Sequence, residues 1–175
     1  PQKVINAANK LKTNSFFVVN IGVNRPNITD KNWIYFLERE FSFVRVSFPF
    51  NQSDNVAPKG TSSISAEIAY GHDNSLPVSK ELMLDYVINE LIQANIIDAS
   101  DEIIYSSTVD IKYAYVIFDH ERKSAIKTIH DYLKTCDIIP FGRYGMWAYL
   151  WSDEAMLSGK KVAERLVKPN AMNPS

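Results

Sequence analysis

Residues 62–71 read SSISAEIAYG, and their alternation decides the fold class. Ile64, Ala66, Ile68 and Tyr70 fall on one side of an extended chain, and Ser63, Ser65, Glu67 and Ala69 on the other. Side chains of a strand alternate with period 2, so the run predicts a half-buried strand with one wetter face. Upstream, SFVRVSFPF (42–50) alternates in the same way and puts Arg45 on its less apolar side. SFFVVNIGVNRP (15–26) is apolar and β-branched until Pro26, which predicts a strand over 16–23, and WIYFL (33–37) predicts a shorter one. The Asn, Asp, Pro and Gly of residues 51–61 mark a loop. Alternating strands joined by such loops predict an antiparallel sheet.

Beyond the strands the period changes. In KELMLDYVINELIQANII (80–97), Leu84, Val87, Ile88, Leu91 and Ile92 recur at helical spacing, with Ser79 ahead of them as the expected N-cap. YSSTVDIKYAYVIFD (105–119) predicts one or two strands. HERKSAIKTIHDYLKTC (120–136) predicts an amphipathic helix with Ala125, Ile126, Ile129 and Leu133 inward. A last helix is expected from about Asp153 to Val167, before Pro169, followed by a frayed tail over 169–175. Helices and strands are mixed rather than strictly alternating, so the fold class is α+β: a mixed, largely antiparallel sheet with helices packed on one face.

The 175 residues are 46% hydrophobic and 22% charged, which fits a globular chain able to bury one substantial core. Nineteen basic and twenty acidic side chains leave a net charge of −1, so no chain-wide field recruits nucleic acid. No apolar run is long enough to span a membrane, and the N-terminus lacks the pattern of a secretory signal. The single cysteine, Cys136, excludes an internal disulfide and suits a reducing compartment, so a cytoplasmic location is expected. The opening PQKVINAANKLKTNSFF has no initiator Met and a polar lead-in, as a segment of a longer protein would.

Most motif-borne chemistry is missing. His72, His120 and His130 do not pair at ligand spacing on any expected helix, so no metal site is assigned. The acidic pair in Asp119-His120-Glu121 reads as helix capping. No G-x-S-x-G, Walker loop or G-x-G-x-x-G occurs. Tyr35 and Arg45 stand out from the strands as substrate-binding candidates.

One stretch remains, FGRYGMWAYLWSDEAMLSG (141–159), which holds three of the six glycines. Gly142 and Gly145 allow backbone conformations and close approach that a Cβ would block, and Arg143 between them carries a planar cation suited to phosphate or carboxylate. Ser152 or Asp153 is the expected N-cap of the last helix, whose first N–H groups and positive dipole end suit an electron-rich ligand atom. Ala155, Ser158, Gly159, Val162 and Ala163 form a small-residue face on that helix, fit for close approach by a packed strand or a cofactor ring.

Residues 142–166, GRYGMWAYLWSDEAMLSGKKVAERL, resemble the C-terminal flavin-contacting signature of the FAD-dependent amine oxidoreductases, in the branch of protoporphyrinogen-oxidase-like proteins and UDP-galactopyranose mutase. The matching positions are Gly142-Arg143, Trp147, Tyr149, Asp153, and Ser158-Gly159 with Ala163. The stretches 19–26, 33–38, 43–60 and 114–119 are similar to substrate-domain strands of bacterial members, some of which accompany polysaccharide synthesis, so the resemblance spans almost the whole chain.

The resemblance implies that residues 1–140 form a substrate-binding α+β domain covering the flavin face, and that residues 141–168 form a closing flavin-contacting turn and helix. It implies FAD contacts from Gly142, Arg143, Trp147, Tyr149, Leu150, Trp151, Ser152 and Asp153, and hydride transfer from a small-molecule substrate to the flavin. No catalytic base is named. The substrate is expected to be an amine or a sugar nucleotide, the latter if the chemistry is that of a mutase. The dinucleotide-binding G-x-G-x-x-G is absent, so this chain alone is expected to bind FAD weakly or not at all and to need a partner segment that carries the motif. Its exposed cofactor side would then favour a homodimer. The rival from another class is a non-enzymatic ligand- or protein-binding domain.

Overall fold

The computed structural model describes residues 1–71 and 74–167. The expected tail over 169–175 and His72 lie outside the described residues. Two compact units divide the chain: Asn14–Ala114, which holds the sheet, and Pro1–Thr13 with Tyr115–Ser175, which is helical. The expected division at residue 140 is one of role, which compactness does not test.

The strand unit is built on β1 (Ser15–Val23), β2 (Trp33–Tyr35), β3 (Arg45–Ser47), β4 (Ser62–Tyr70) and β5 (Ile103–Ile111), in the order β2-β3-β4-β1-β5. Every pairing is antiparallel, with Val19 opposite Ala66 and Thr108, and Val46 opposite Ala66 and Ile34. The period-2 reading of β4 holds residue by residue: Ser62, Ile64, Ala66 and Ile68 are buried and the residues between them are not. They meet Phe17, Val19, Ile21 and Val23 of β1, Val46 of β3, and Met83, Val87 and Leu91 of helix α2 (Met83–Gln93) in one core. The other face carries Arg45 and Ser47 of β3, Ser63, Ser65 and Glu67 of β4 and Asn20 of β1, beside apolar Phe16 and Val18.

Three local readings differ from expectation. The strand over 42–50 shortens to Arg45–Ser47, because Pro49 has no N–H for the ladder and starts a 3₁₀ turn, Pro49–Asn51. Phe43 is nevertheless buried, in an aromatic cluster with Phe36 and Phe41 at centroid distances of 4.7 and 5.3 Å. Ser79 does not cap α2: the chain from Ser79 to Met83 is a turn with i→i+3 bonds, Leu82 N–H to Ser79 O and Met83 N–H to Lys80 O, and the regular helix starts only at Met83. At the other end Asn95 takes a left-handed backbone (φ 55°) and Ile96 N–H returns to Leu91 O, the usual helix-closing geometry.

The loop before β3 is fixed by a buried carboxylate. Glu90, on α2, accepts from the Ser42 N–H at 2.8 Å and from the Ser42 hydroxyl at 2.5 Å. Arg45 follows three residues later.

The helical unit contains α1 (Gln2–Ala8), α3 (Arg122–Thr135), α4 (Gly142–Gly145) and α5 (Ser152–Val167). Ala7 of α1 and Ala125 of α3 are buried where these helices pack, and small side chains permit that approach. A backbone bridge joins Thr13 to Val116, beside a bond from Ile117 N–H to Lys12 O. Lys10 pairs with Glu121 at 2.6 Å.

Candidate functional site

The start of α3 bears out the capping reading of Asp119. Its Oδ1 accepts the Arg122 N–H at 2.9 Å, and Lys12, 3.2 Å away, is the main cause holding that carboxyl below its ordinary range. From α3 the chain runs through Pro140 into the glycine-rich turn. Phe141 is extended, and Gly142 then takes φ +72°, a conformation that a side chain would strain. One helical turn, α4, carries Arg143. It ends at Met146, and Trp147 then takes a left-handed backbone (φ 45°) that is unusual for so large a residue.

Side chains of the turn converge around Arg143. Its guanidinium carbon lies 4.5 Å from the Tyr115 ring centroid and 4.9 Å from that of Tyr149, and the two rings are 5.6 Å apart and nearly parallel. Its Nε and Nη2 are buried and make no hydrogen bond among the described residues, and the same is true of Trp147 Nε1. Buried polar groups are seldom left so, and each unpaired donor costs about 1–3 kcal/mol. All three lie in one turn, with the guanidinium covered by the Tyr115 and Tyr149 rings.

The last helix begins one residue earlier than expected. Trp151 O accepts the first helical bond from Ala155, so Ser152 and Asp153 are its first residues rather than its cap. Glu154 reaches back to accept the Trp151 N–H at 2.8 Å, satisfying one donor that the sequence reading leaves to a ligand. The start of α5 is exposed: Trp151 is 69% accessible, and Ser152 and Asp153 are open as well. Tyr149 is exposed and Leu150 half-buried.

Ser158 and Gly159 of the small-residue face of α5 pack on the turn itself. A Cβ on Gly159 would come within 3.3 Å of the Phe141 ring, and Ser158 Oγ accepts the Gly142 N–H at 2.8 Å while donating to Ala155 O. Ala163 is exposed.

Tyr35 and Arg45 belong to the strand unit, where β2–β3 register places them opposite each other with the guanidinium 5.9 Å from the ring. Arg45 pairs with its β4 partner Glu67 at 2.6 Å. On the same face a half-buried polar row runs through Ser47, Ser65, Asn20 and Ser107, with Ser65 donating to Asn20 and Asn20 to Ser107. Glu67 and Ser65 were within reach of the sequence, since they occupy polar positions of β4, but the register that aligns them with Arg45, Asn20 and Ser107 was not. Tyr115, Arg122 and His130, which surround or hold the turn, carry no local signal that could single them out. Among the described residues no group of three or more His, Cys, Asp and Glu is placed to hold a metal ion.

No protein-family profile matches the chain. Its fold is nevertheless found in solved structures, as one α+β segment of larger proteins. Reduced UDP-galactopyranose mutase superposes with a TM-score of 0.85 at 22% identity, over 93% of this chain and 35% of the mutase. A candidate protoporphyrinogen oxidase from Exiguobacterium sp. 255-15 superposes with a TM-score of 0.71 at 13% identity, over 90% of this chain and 35% of that one. At such identities the likeness establishes the fold. These are the two kinds of protein that the sequence resemblance names, and the chain spans about a third of the length of each. No helix among the described residues is long and apolar enough to cross a membrane.

Proposed function

We propose that this chain is the substrate-binding and closing flavin-contacting part of an FAD-dependent oxidoreductase of the amine-oxidase type. The observation that carries the reading is the set of buried, unpaired donors Arg143 Nε, Arg143 Nη2 and Trp147 Nε1, lying in the segment that holds the family resemblance. FAD, when bound, supplies the redox chemistry by accepting a hydride from the substrate. The protein's part is to bind and orient. Arg143 would pair with a phosphate or carbonyl oxygen of the cofactor, and Trp147 would donate its indole N–H to a second acceptor. Gly142 gives the turn its shape. Tyr149, Leu150, Trp151, Ser152 and Asp153 line the approach to α5. Glu154 already occupies the Trp151 N–H, so this helix start offers fewer free donors than an uncapped one.

In the strand unit, Tyr35 and the Arg45–Glu67 pair are the substrate contacts proposed, beside the polar row. Donors and acceptors alternate along that row, with exposed Trp33 and Tyr35 at its edge, and such a surface suits a polyhydroxylated ligand. This favours a second reading, a flavin-dependent nucleotide-sugar mutase, over oxidation of an amine.

The test is flavin uptake. The product of the whole reading frame is expected to purify yellow, with the visible flavin bands, and this chain alone to hold FAD weakly. A folded, colourless product that takes up no added FAD would overturn the reading. Isomerisation of a nucleotide-sugar by the reduced protein would decide for the mutase.

A further inference from the structure

Arg122 sits at the first position of α3, with Asp119 accepting its N–H and Glu121 at the cap position before it. Its guanidinium lies over the Phe118 ring at 4.1 Å and donates from Nε, at 2.7 Å, and from Nη2 to one acceptor, the carbonyl oxygen of Trp147. Trp147 is the residue in the left-handed conformation. Two turns further along α3, His130 Nε2 bonds the Gly145 carbonyl at 2.9 Å.

Two side chains of one helix therefore grip two carbonyls of the turn that bears Arg143. The turn closes on itself through Met146 N–H to Gly142 O and Ala148 N–H to Arg143 O, and from the α5 side Ser158 holds the Gly142 N–H. The grip falls on backbone alone, and leaves Arg143 Nε, Arg143 Nη2 and Trp147 Nε1 unpaired.

We infer that Arg122, seconded by His130, is a positioning residue: it holds Trp147 in its left-handed conformation and so fixes where Arg143 and the Trp147 indole stand for a ligand that displaces their present cover. The inference rests on the flavin reading for the identity of that ligand, and on geometry alone for the latch. Part of the cost of ordering this turn is met before binding, which is how a preorganised site gains affinity.

The test compares Arg122→Gln, Arg122→Lys and the unaltered full chain in two measurements. Without ligand, amide exchange at Met146 and Ala148 is expected to quicken roughly tenfold in Arg122→Gln, partly reversed in Arg122→Lys, while α3 and sheet amides are unchanged. The Arg143 Nε–H resonance is expected to broaden or move in parallel. With FAD, Arg122→Gln is expected to weaken binding about tenfold, and to do nothing further in a chain already carrying Arg143→Ala. Unchanged exchange and an unmoved Arg143 resonance would overturn the latch. Equal losses of FAD affinity with and without Arg143 would reduce Arg122 to a merely structural residue. If the unaltered chain and the whole-frame product both ignore FAD, the flavin reading fails, and exchange with the Arg143 resonance still decides the latch.

Discussion

Gly142 turns the chain with a backbone angle that only glycine adopts without strain, and nothing lies within 4 Å of where its Cβ would stand. The cost of a side chain there is therefore conformational and not a clash. Gly142→Ala is expected to destabilise by about 1 kcal/mol, read as a lower melting midpoint. Residue chemistry was the part of the site most legible in sequence: a glycine–arginine turn with aromatics names its own possibilities. What sequence could not reveal is that Tyr115, from a stretch read as strand, stacks beside Arg143, because only tertiary structure brings residues 28 apart in sequence together.

At the scale of elements, alternation located the long strands and periodicity located α2, α3 and α5, since each buries one face and leaves the other wet. Ends were less legible. Pro49 cut one strand short, and the turn ahead of α2 displaced the cap, both through hydrogen bonds that side-chain patterning does not encode. Other joints depend on ion pairs. Arg25, beyond β1, binds Asp101, ahead of β5, through Nε at 2.7 Å and Nη2 at 2.6 Å, and this pairing is the main cause that lowers the Asp101 carboxyl. A lowered carboxyl contributes stability that is complete above its unfolded pKa, about 3.9, and is lost as pH falls through the folded value below it. Asp101→Asn is thus expected to lower stability near neutrality and to flatten its decline below about pH 4 in denaturant titrations. An acid limb as steep as that of the unaltered protein would show that the pair contributes nothing.

For the whole molecule, the α+β class and the antiparallel sheet followed from the sequence, and the superposition with two larger proteins agrees with the resemblance carried by residues 142–166. The division into a strand unit, Asn14–Ala114, and a helical unit drawn from both ends of the chain had no signature in composition, because the joining backbone bridge pairs Thr13 with Val116 across a hundred residues. Tyr35, Arg45 and Glu67 lie in the strand unit, and the unpaired Arg143 and Trp147 donors in the helical one. The central claim concerns those donors, and the most direct measurement follows the ¹⁵N-labelled Arg143 Nε–H and Trp147 Nε1–H resonances as FAD is added to the product of the whole reading frame. The account predicts that both move together and saturate at the same FAD concentration. Resonances that stay still while FAD binds elsewhere, or that stay still because nothing binds even at saturating FAD, would contradict it.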